Sequence, residues 1–331
     1  MPPELQAQEC MKTPHFAIEE PFDSTIRTRR PTEWGVRTCV IFNPAARGEK
    51  ARHFRHHLKA IGAESALKQT TAAGDARRLA AEAIGEGFEV IVAAGGDGTL
   101  NEVLNGIGDV ANGFERARLA VLPLGTVNVF ARELVMPTKL AAAWAVVRQG
   151  RETRIDLPRA DYHTDGTPQR RYFAQMAGAG LDARAIELVQ WQLKKRIGPL
   201  AYVVAGLKAM MGAQSKATAA GCGHSATGEL VLIGNGRLYG GHYRLFPRAD
   251  NRDGLLDVCA IPRVNWLTLA RCVPSLLLRG TLPASAALAF QAESFTLASA
   301  SPIPFELDGE LAGHLPAAFS VEHSRLRVIV P

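Results

Sequence analysis

At 331 residues, with 47% apolar and 21% charged side chains, the chain is long enough for two globular domains and too ordinary in composition to be fibrous or disordered throughout. Its formal charge of +6 suits an anionic partner such as a nucleotide or a phospholipid surface. Nucleic acid is not expected, because the basic residues are scattered and lack aromatic interleaving. The five cysteines form no Cys-x-x-Cys pair, which speaks against a disulfide framework or zinc site and for a reducing, cytoplasmic compartment.

Residues 1–36 read as a polar, flexible tail without the apolar segment of a signal peptide. Apolar runs at Cys39–Phe42, Val90–Ala94 and Leu119–Leu122 then alternate with amphipathic stretches at Lys50–Ile61, Asp75–Ile84 and Leu100–Ile107. This rhythm predicts a Rossmann-like α/β domain over 37–157, with a parallel sheet buried on both faces and ligands beyond the carboxyl ends of its strands. After Pro158 the pattern shifts to short segments such as Glu229–Ile233, Tyr243–Phe246, Leu255–Ile261 and Phe295–Ala298, predicting a β-rich domain over 158–331. A helical stretch, Ala185–Met211, interrupts it. No window reaches the ~18 uninterrupted apolar residues of a spanning helix: Lys208 breaks Leu200–Met211, and Arg279 and Pro283 break Leu276–Phe290.

The sharpest chemical signal is Val90–Gly106, a buried strand entering a Gly-rich turn and then a helix. Gly95, Gly96 and Gly98 allow close backbone approach, and the helix start directs N–H groups and a positive dipole end outward, an arrangement suited to phosphates. Leu100, Val103, Leu104 and Ile107 form the stripe that faces the sheet, leaving Asn101, Glu102 and Asn105 off it. Asp97 would repel phosphate, so it implies a bridging Mg²⁺ or a proton to be handled; the plainer alternative is a helix cap. The third glycine of a dinucleotide fingerprint is missing, and Gly-Lys, needed for a Walker loop, occurs nowhere.

The string Gly95, Gly96, Asp97, Gly98, Thr99, Leu100, Asn101, Glu102 resembles the nucleotide-binding signature of the diacylglycerol kinase catalytic family. Asn43, Pro44 and Gly48 match its first phosphate-side turn, Thr70 a threonine set against the nucleotide, and Gly125, Thr126 and Asn128 its third motif. Val129 stands where many members carry Asp. The segment 247–257 resembles the family's structural Mg²⁺ loop, which would use the Asp253 carboxylate and the carbonyls of Asp250 and Leu255; Arg252 is unusual there. The Asp308-Gly309-Glu310 tripeptide matches the family's catalytic hairpin. By itself it reads as a solvated turn. The resemblance covers residues 37 to 331 and implies ATP and Mg²⁺ as cofactors. It implies Glu310 as general base, Asp97 as organiser of Mg²⁺ and γ-phosphate, and Asp308 in support.

The expected activity is an ATP-dependent lipid kinase in phospholipid metabolism, acting on diacylglycerol, a sphingoid base or a related lipid. It would be cytoplasmic and peripheral at the membrane, with homodimerisation left open. The basic segment Trp191–Ile197 is the expected membrane contact. Two rivals stay open: a NAD kinase-like phosphotransferase, whose later Thr-Gly-Ser-Thr-Ala-Tyr-type segment is not found here, and a non-catalytic nucleotide- or lipid-binding module.

Overall fold

A computed structural model describes residues 36–44, 49–188 and 215–331, all within a unit spanning Thr32–Pro331. Gly48 and the Trp191–Ile197 segment lie outside the described residues, as does most of the predicted helix Ala185–Met211.

The apolar runs form β1 (Thr38–Phe42), β3 (Val90–Gly95) and β4 (Arg118–Pro123). A short β2 (Ala66–Gln69) joins them, giving a parallel array in the order β2-β1-β3-β4. These strands are almost wholly apolar because helices cover both faces, and alternate side chains go opposite ways. Ile41, Ile91, Ala93, Leu119 and Val121 pack with Leu79, Ala83, Val103, Leu104 and Ile107 of α2 (Asp75–Gly85) and α3 (Asp97–Gly108). Their neighbours Val40, Val92, Ala94, Ala120 and Leu122 pack with Phe54 and Ile61 of α1 (Glu49–Glu64) and with Leu140, Ala143 and Val147 of α6 (Leu140–Gln149). Two short helices lie between, α4 (Gly113–Arg116) before β4 and α5 (Val129–Glu133) after it.

Two 14-residue strands, β5 (Arg151–Thr164) and β18 (Ala317–Val330), carry this sheet onward. They pair antiparallel from Arg151 with Val330 to Tyr162 with Ala317, across an irregularity between Glu322 and Leu326. β18 adds to β4 in parallel through Val328 and Leu119, while its first half pairs with β15 (Ser294–Ser299). Positions 157 and 158 both fall inside β5. With β6 (Thr167–Tyr172), β8 (Ala217–Gly221) and β9 (His224–Gly228), the described residues give one ten-stranded sheet.

A second, antiparallel sheet lies over the far half of the first. Its order is β14 (Leu288–Ala292), β13 (Leu256–Ile261), β10 (Leu230–Gly234), β7 (Met176–Gly180), β16 (Pro304–Leu307) and β17 (Glu310–His314). Ala177, Val231, Ile233, Val258, Phe305 and Leu307 from it meet Ala160, Ala219, Phe295, Leu297 and Phe319 from the long sheet. Phe319 anchors the seam, stacked on Phe295 at 5.4 Å and edge-on to Phe305 at 6.0 Å. The result is the expected pairing of a Rossmann-like parallel core with a sandwich-like β lobe. Of the predicted Tyr243–Phe246 segment, only Tyr243–Arg244 is strand, β12, paired with β11 (Leu238–Tyr239). Helix α7 (Leu181–Leu188) follows β7, and α8 (Trp266–Arg279) follows β13.

Candidate active site

The carboxyl ends of β3 and β4 bring two glycine turns into contact. The N–H groups of Leu124 and Gly125 both donate to the carbonyl of Gly95, at 2.9 and 3.1 Å. A Cβ on Gly125 would sit 2.5 Å from the Cα of Gly96, so this glycine lets the two backbones touch. Asn128, in the left-handed conformation at φ 52°, closes the second turn. Its side chain accepts from the Gly125 N–H at 3.0 Å and donates to the Gly125 carbonyl at 2.7 Å. Thr126 is exposed at the tip. Asn43 and Pro44 follow β1, and Thr70 is buried at the end of β2, where its N–H donates to the Phe42 carbonyl at 3.0 Å.

Asp97 opens α3 with its carboxylate set against the backbone N–H groups of Asn128, Val129 and Phe130. Burial and the nearby Asp308 carboxylate push its pKa up to about 6, while those N–H groups pull the other way. Sequence reading set Asp97 at Mg²⁺ and γ-phosphate; in the structure its described partners are the amides of the third motif. Thr99 packs back on Gly95, and Leu100 is buried in the core, so only its backbone can face a ligand. The Glu102 carboxylate accepts from the N–H groups of Gly74 and Ala76, both at 2.9 Å, and so caps α2. Thus Asn128, Leu100 and Glu102 hold the loops together with the side chains expected at the nucleotide.

The hairpin between β16 and β17 turns on Asp308 and Gly309, at φ 51° and 87°, the double left-handed geometry that favours Asp-Gly. Of its two acids, Asp308 is sequestered while Glu310 keeps part of its side chain exposed, 41%. Asp308 points inward and accepts from the N–H groups of Ala174, Gln175 and Met176 at 2.7, 2.9 and 3.1 Å, and from Asn101 Nδ2 at 2.9 Å. Asn101 is fully buried, and its Oδ1 accepts from Arg171 Nη2 at 2.8 Å. The same guanidinium nitrogen lies 3.3 Å from Glu310 Oε2. The other Glu310 oxygen lies against Gly98, where a Cβ would approach it to 2.6 Å. Burial raises the Glu310 pKa, with Arg171 opposing and Glu102 assisting. Glu310, Asn101, Glu102 and Arg171 line a cavity of about 370 Å³ with Gly74, Arg77, Ala73 and Asn105, a size that suits part of a small ligand.

Sequence reading missed the residues that work across long separations. Arg171 is the last residue but one of β6, whose final residue, Tyr172, is held through both backbone groups by the side chain of Asn105, at 2.9 Å each. Beneath the Asp308–Glu310 hairpin, Asp182 and Glu306 meet in the interior. Tyr239 donates to Asp182 Oδ1 at 2.7 Å, and the Gly309 N–H donates to Glu306 Oε2 at 2.5 Å. Asp182 Oδ2 and Glu306 Oε1 have no other hydrogen-bond donor. Burial raises both carboxyls, Glu306 strongly, which favours holding a proton between the two unpartnered oxygens.

The Asp250–Leu255 loop packs on a buried Asp156. The Gly254 N–H donates to Asp156 Oδ2 at 2.7 Å, and Asp156 Oδ1 accepts from Ser324 N–H at 2.7 Å and meets His323 Nδ1 at 2.9 Å. Asp253 Oδ1 accepts from the Leu255 N–H at 2.9 Å, and the Asp250 carbonyl accepts from the Asp253 N–H at 3.2 Å. Burial first, then the charges of Asp156 and Asp250, raise the Asp253 pKa. That excess of oxygen donors and negative charge fits a hard cation, and Arg252 is exposed. Among the described residues, however, no three His, Cys, Asp or Glu side chains converge as a metal cluster.

The parallel α/β lobe with glycine turns at its strand ends is joined to a β sandwich that brings an acid hairpin to those turns. Residues 37–160 match the diacylglycerol kinase catalytic domain, and residues 175–330 match the YegS C-terminal NAD kinase beta sandwich-like domain. A probable lipid kinase YegS-like of Stenotrophomonas maltophilia is 35% identical over 280 residues, covering 82% of this chain and 88% of that protein. A diacylglycerol kinase of Staphylococcus saprophyticus is 30% identical over 305 residues, covering 89% and 95%. The chain therefore belongs to the diacylglycerol kinase catalytic-domain family. A solved structure of a putative diacylglycerol kinase from Bacillus anthracis shares the fold, with a TM-score of 0.70 at 22% identity over 89% of this chain and 97% of that one.

Proposed function

We propose that the protein transfers the γ-phosphoryl group of ATP to a hydroxyl of a membrane lipid, diacylglycerol or a sphingoid-type lipid, with Glu310 as general base. The observation that carries this reading is the Glu310 carboxylate: it faces the cavity beside the first turn of α3, with its pKa raised by burial. A raised carboxylate takes a proton more readily, and a helix N-terminus such as the one beside it favours an anion. Arg171 holds one Glu310 oxygen and Asn101, fixing the base relative to α3. Asp308 positions the hairpin that carries it. Asp97 ties the Gly95–Gly98 turn to the 125–130 turn, so the two glycine loops present one surface to the phosphates. Mg²⁺ would neutralise phosphate charge in the reaction; in the second lobe, Asp253 and the carbonyls of Asp250 and Leu255 are the residues that would hold a structural ion. The enzyme would work in the cytoplasm at a membrane surface, in phospholipid metabolism.

The test is incubation with γ-labelled ATP and fractionated lipids, with NAD⁺ offered in parallel. Label in a lipid, lost in Glu310→Gln, is the expected result. Label in NAD⁺ alone would replace the acceptor, and no transfer to either would reduce the protein to a binding module.

A further inference from the structure

Helix α8 buries one face and exposes another that is also apolar. Cys272 is buried and Leu276 packs against the cluster of Leu232, Leu245, Phe246 and Cys259. On the opposite side, Trp266 and Leu267 are each 68% exposed, Val273 42% and Leu278 85%. Ala270 and Pro274, which share that face at helical spacing, are exposed as well. A surface helix ordinarily turns polar side chains to water. Here the outward stripe is apolar from the first turn to the last, and a contiguous apolar patch marks an interaction site.

The charges around this stripe indicate what covers it. Arg263, Arg271 and Arg279 are all exposed, and no Asp or Glu occurs between Asp257 and Glu293. None of the three arginines enters an ion pair among the described residues; Arg271 donates only to Ser285 Oγ, at 2.8 Å. An apolar stripe led by a tryptophan, flanked by arginines and free of acids, complements an anionic bilayer: apolar side chains enter the headgroup boundary while the guanidinium groups meet lipid phosphates. The Glu229 carboxylate that reaches this region is taken up by the Val264 N–H at 2.7 Å, and a second copy of the same face would set arginine against arginine. Among the described residues no helix is long and apolar enough to cross a membrane, so contact of this kind is lateral and shallow.

We propose that the outer face of α8 docks the protein on an anionic phospholipid surface. The proposal rests on the reading of the acceptor as a lipid, and it names a surface that would hold the protein at the membrane where that lipid resides. It differs from the Trp191–Ile197 contact expected from sequence, which lies outside the described residues.

The full chain is sedimented with vesicles of phosphatidylcholine, with and without phosphatidylglycerol, and compared with Trp266→Ser/Leu267→Ser/Leu278→Ser and with Arg271→Gln/Arg279→Gln. Circular dichroism checks that each variant is folded, and turnover of a dispersed short-chain lipid checks that its site is intact. Binding is expected to require phosphatidylglycerol, to weaken at least ~10-fold in the serine variant, and to lose most of its salt dependence in the glutamine variant. Brominated lipid should quench tryptophan emission in the wild type and quench it less in Trp266→Ser. Folded variants that sediment like the wild type overturn the proposal. So does a wild type that ignores vesicles but self-associates through these residues, since the occupant would then be a second copy. If vesicle binding follows the prediction while no lipid is phosphorylated, the docking surface stands and the catalytic reading falls.

Discussion

Glu310 is gripped on one oxygen by Arg171 and crowded on the other by Gly98, and the two contacts predict different losses. The Arg171 cation lowers the Glu310 pKa against the rise caused by burial. Removing it in Arg171→Ala should therefore move the acid limb of the kcat/KM profile to higher pH, because the base stays protonated longer as pH rises. A pH profile checks this, and an unmoved limb would detach Arg171 from the base. At Gly98, an added methyl meets the flexible end of Glu310 and not the backbone. Gly98→Ala should lower kcat and leave the KM for ATP close to wild type, whereas direct loss of phosphate approach would raise that KM. Glu310→Gln should cost ~10²- to 10⁴-fold in kcat, the usual loss for a general base. Asp97 and Glu310 were legible in the sequence because glycine flanks each of them in a distinctive string. Arg171 and Asp182 carry no local signature, and their roles come from partners more than 100 residues away, Glu310 and Glu306.

Among the elements, the acid pair joining α7 to β16 has a direct consequence for stability. Both carboxyls have raised pKa values in the folded state. Their native form therefore keeps a proton that the unfolded chain has released. The associated stability is complete below the ordinary carboxylate range and declines as pH climbs toward the folded values. Thermal unfolding from pH 5 to pH 9 should show the melting temperature of the wild type falling more than that of Glu306→Gln, whose amide donates permanently to Asp182. The difference should be about 2 to 4 °C for each kcal/mol recovered; parallel curves would remove the shared proton. The elements themselves were unequally visible from sequence. β1, β3 and β4 stood out as unbroken apolar runs because helices cover both their faces. β5 and β18 mix buried and exposed positions and carry arginines and glutamates along their length, so neither periodicity marks them. α8 was obscured by Pro274, which ordinarily breaks a helix interior.

At the scale of the whole molecule, β18 belongs to both lobes. Its last residues place Leu326, Val328 and Val330 in the core shared by the parallel sheet with α2 and α3, and Ile329 on the other face. Burial of four such side chains is worth roughly 6 to 12 kcal/mol at 1.5 to 3 each, comparable to the ~5 to 15 kcal/mol that holds a domain together. Deleting residues 326–331 should therefore unfold the N-terminal lobe as well as the strand's own neighbourhood. Hydrogen exchange of the β3 and β4 amides reads this directly, and native protection there would show that the lobe stands without β18. The same pairing orders events on the ribosome. β4 is made near residue 120, but its partner on that side arrives only when residues 326–330 leave the exit tunnel. The nucleotide lobe must wait through the synthesis of the entire β lobe with one edge of its sheet unpaired. Such an edge is a template for strands of other chains, so a nascent chain stalled beyond residue 160 is where this protein is most exposed to aggregation and most in need of a chaperone.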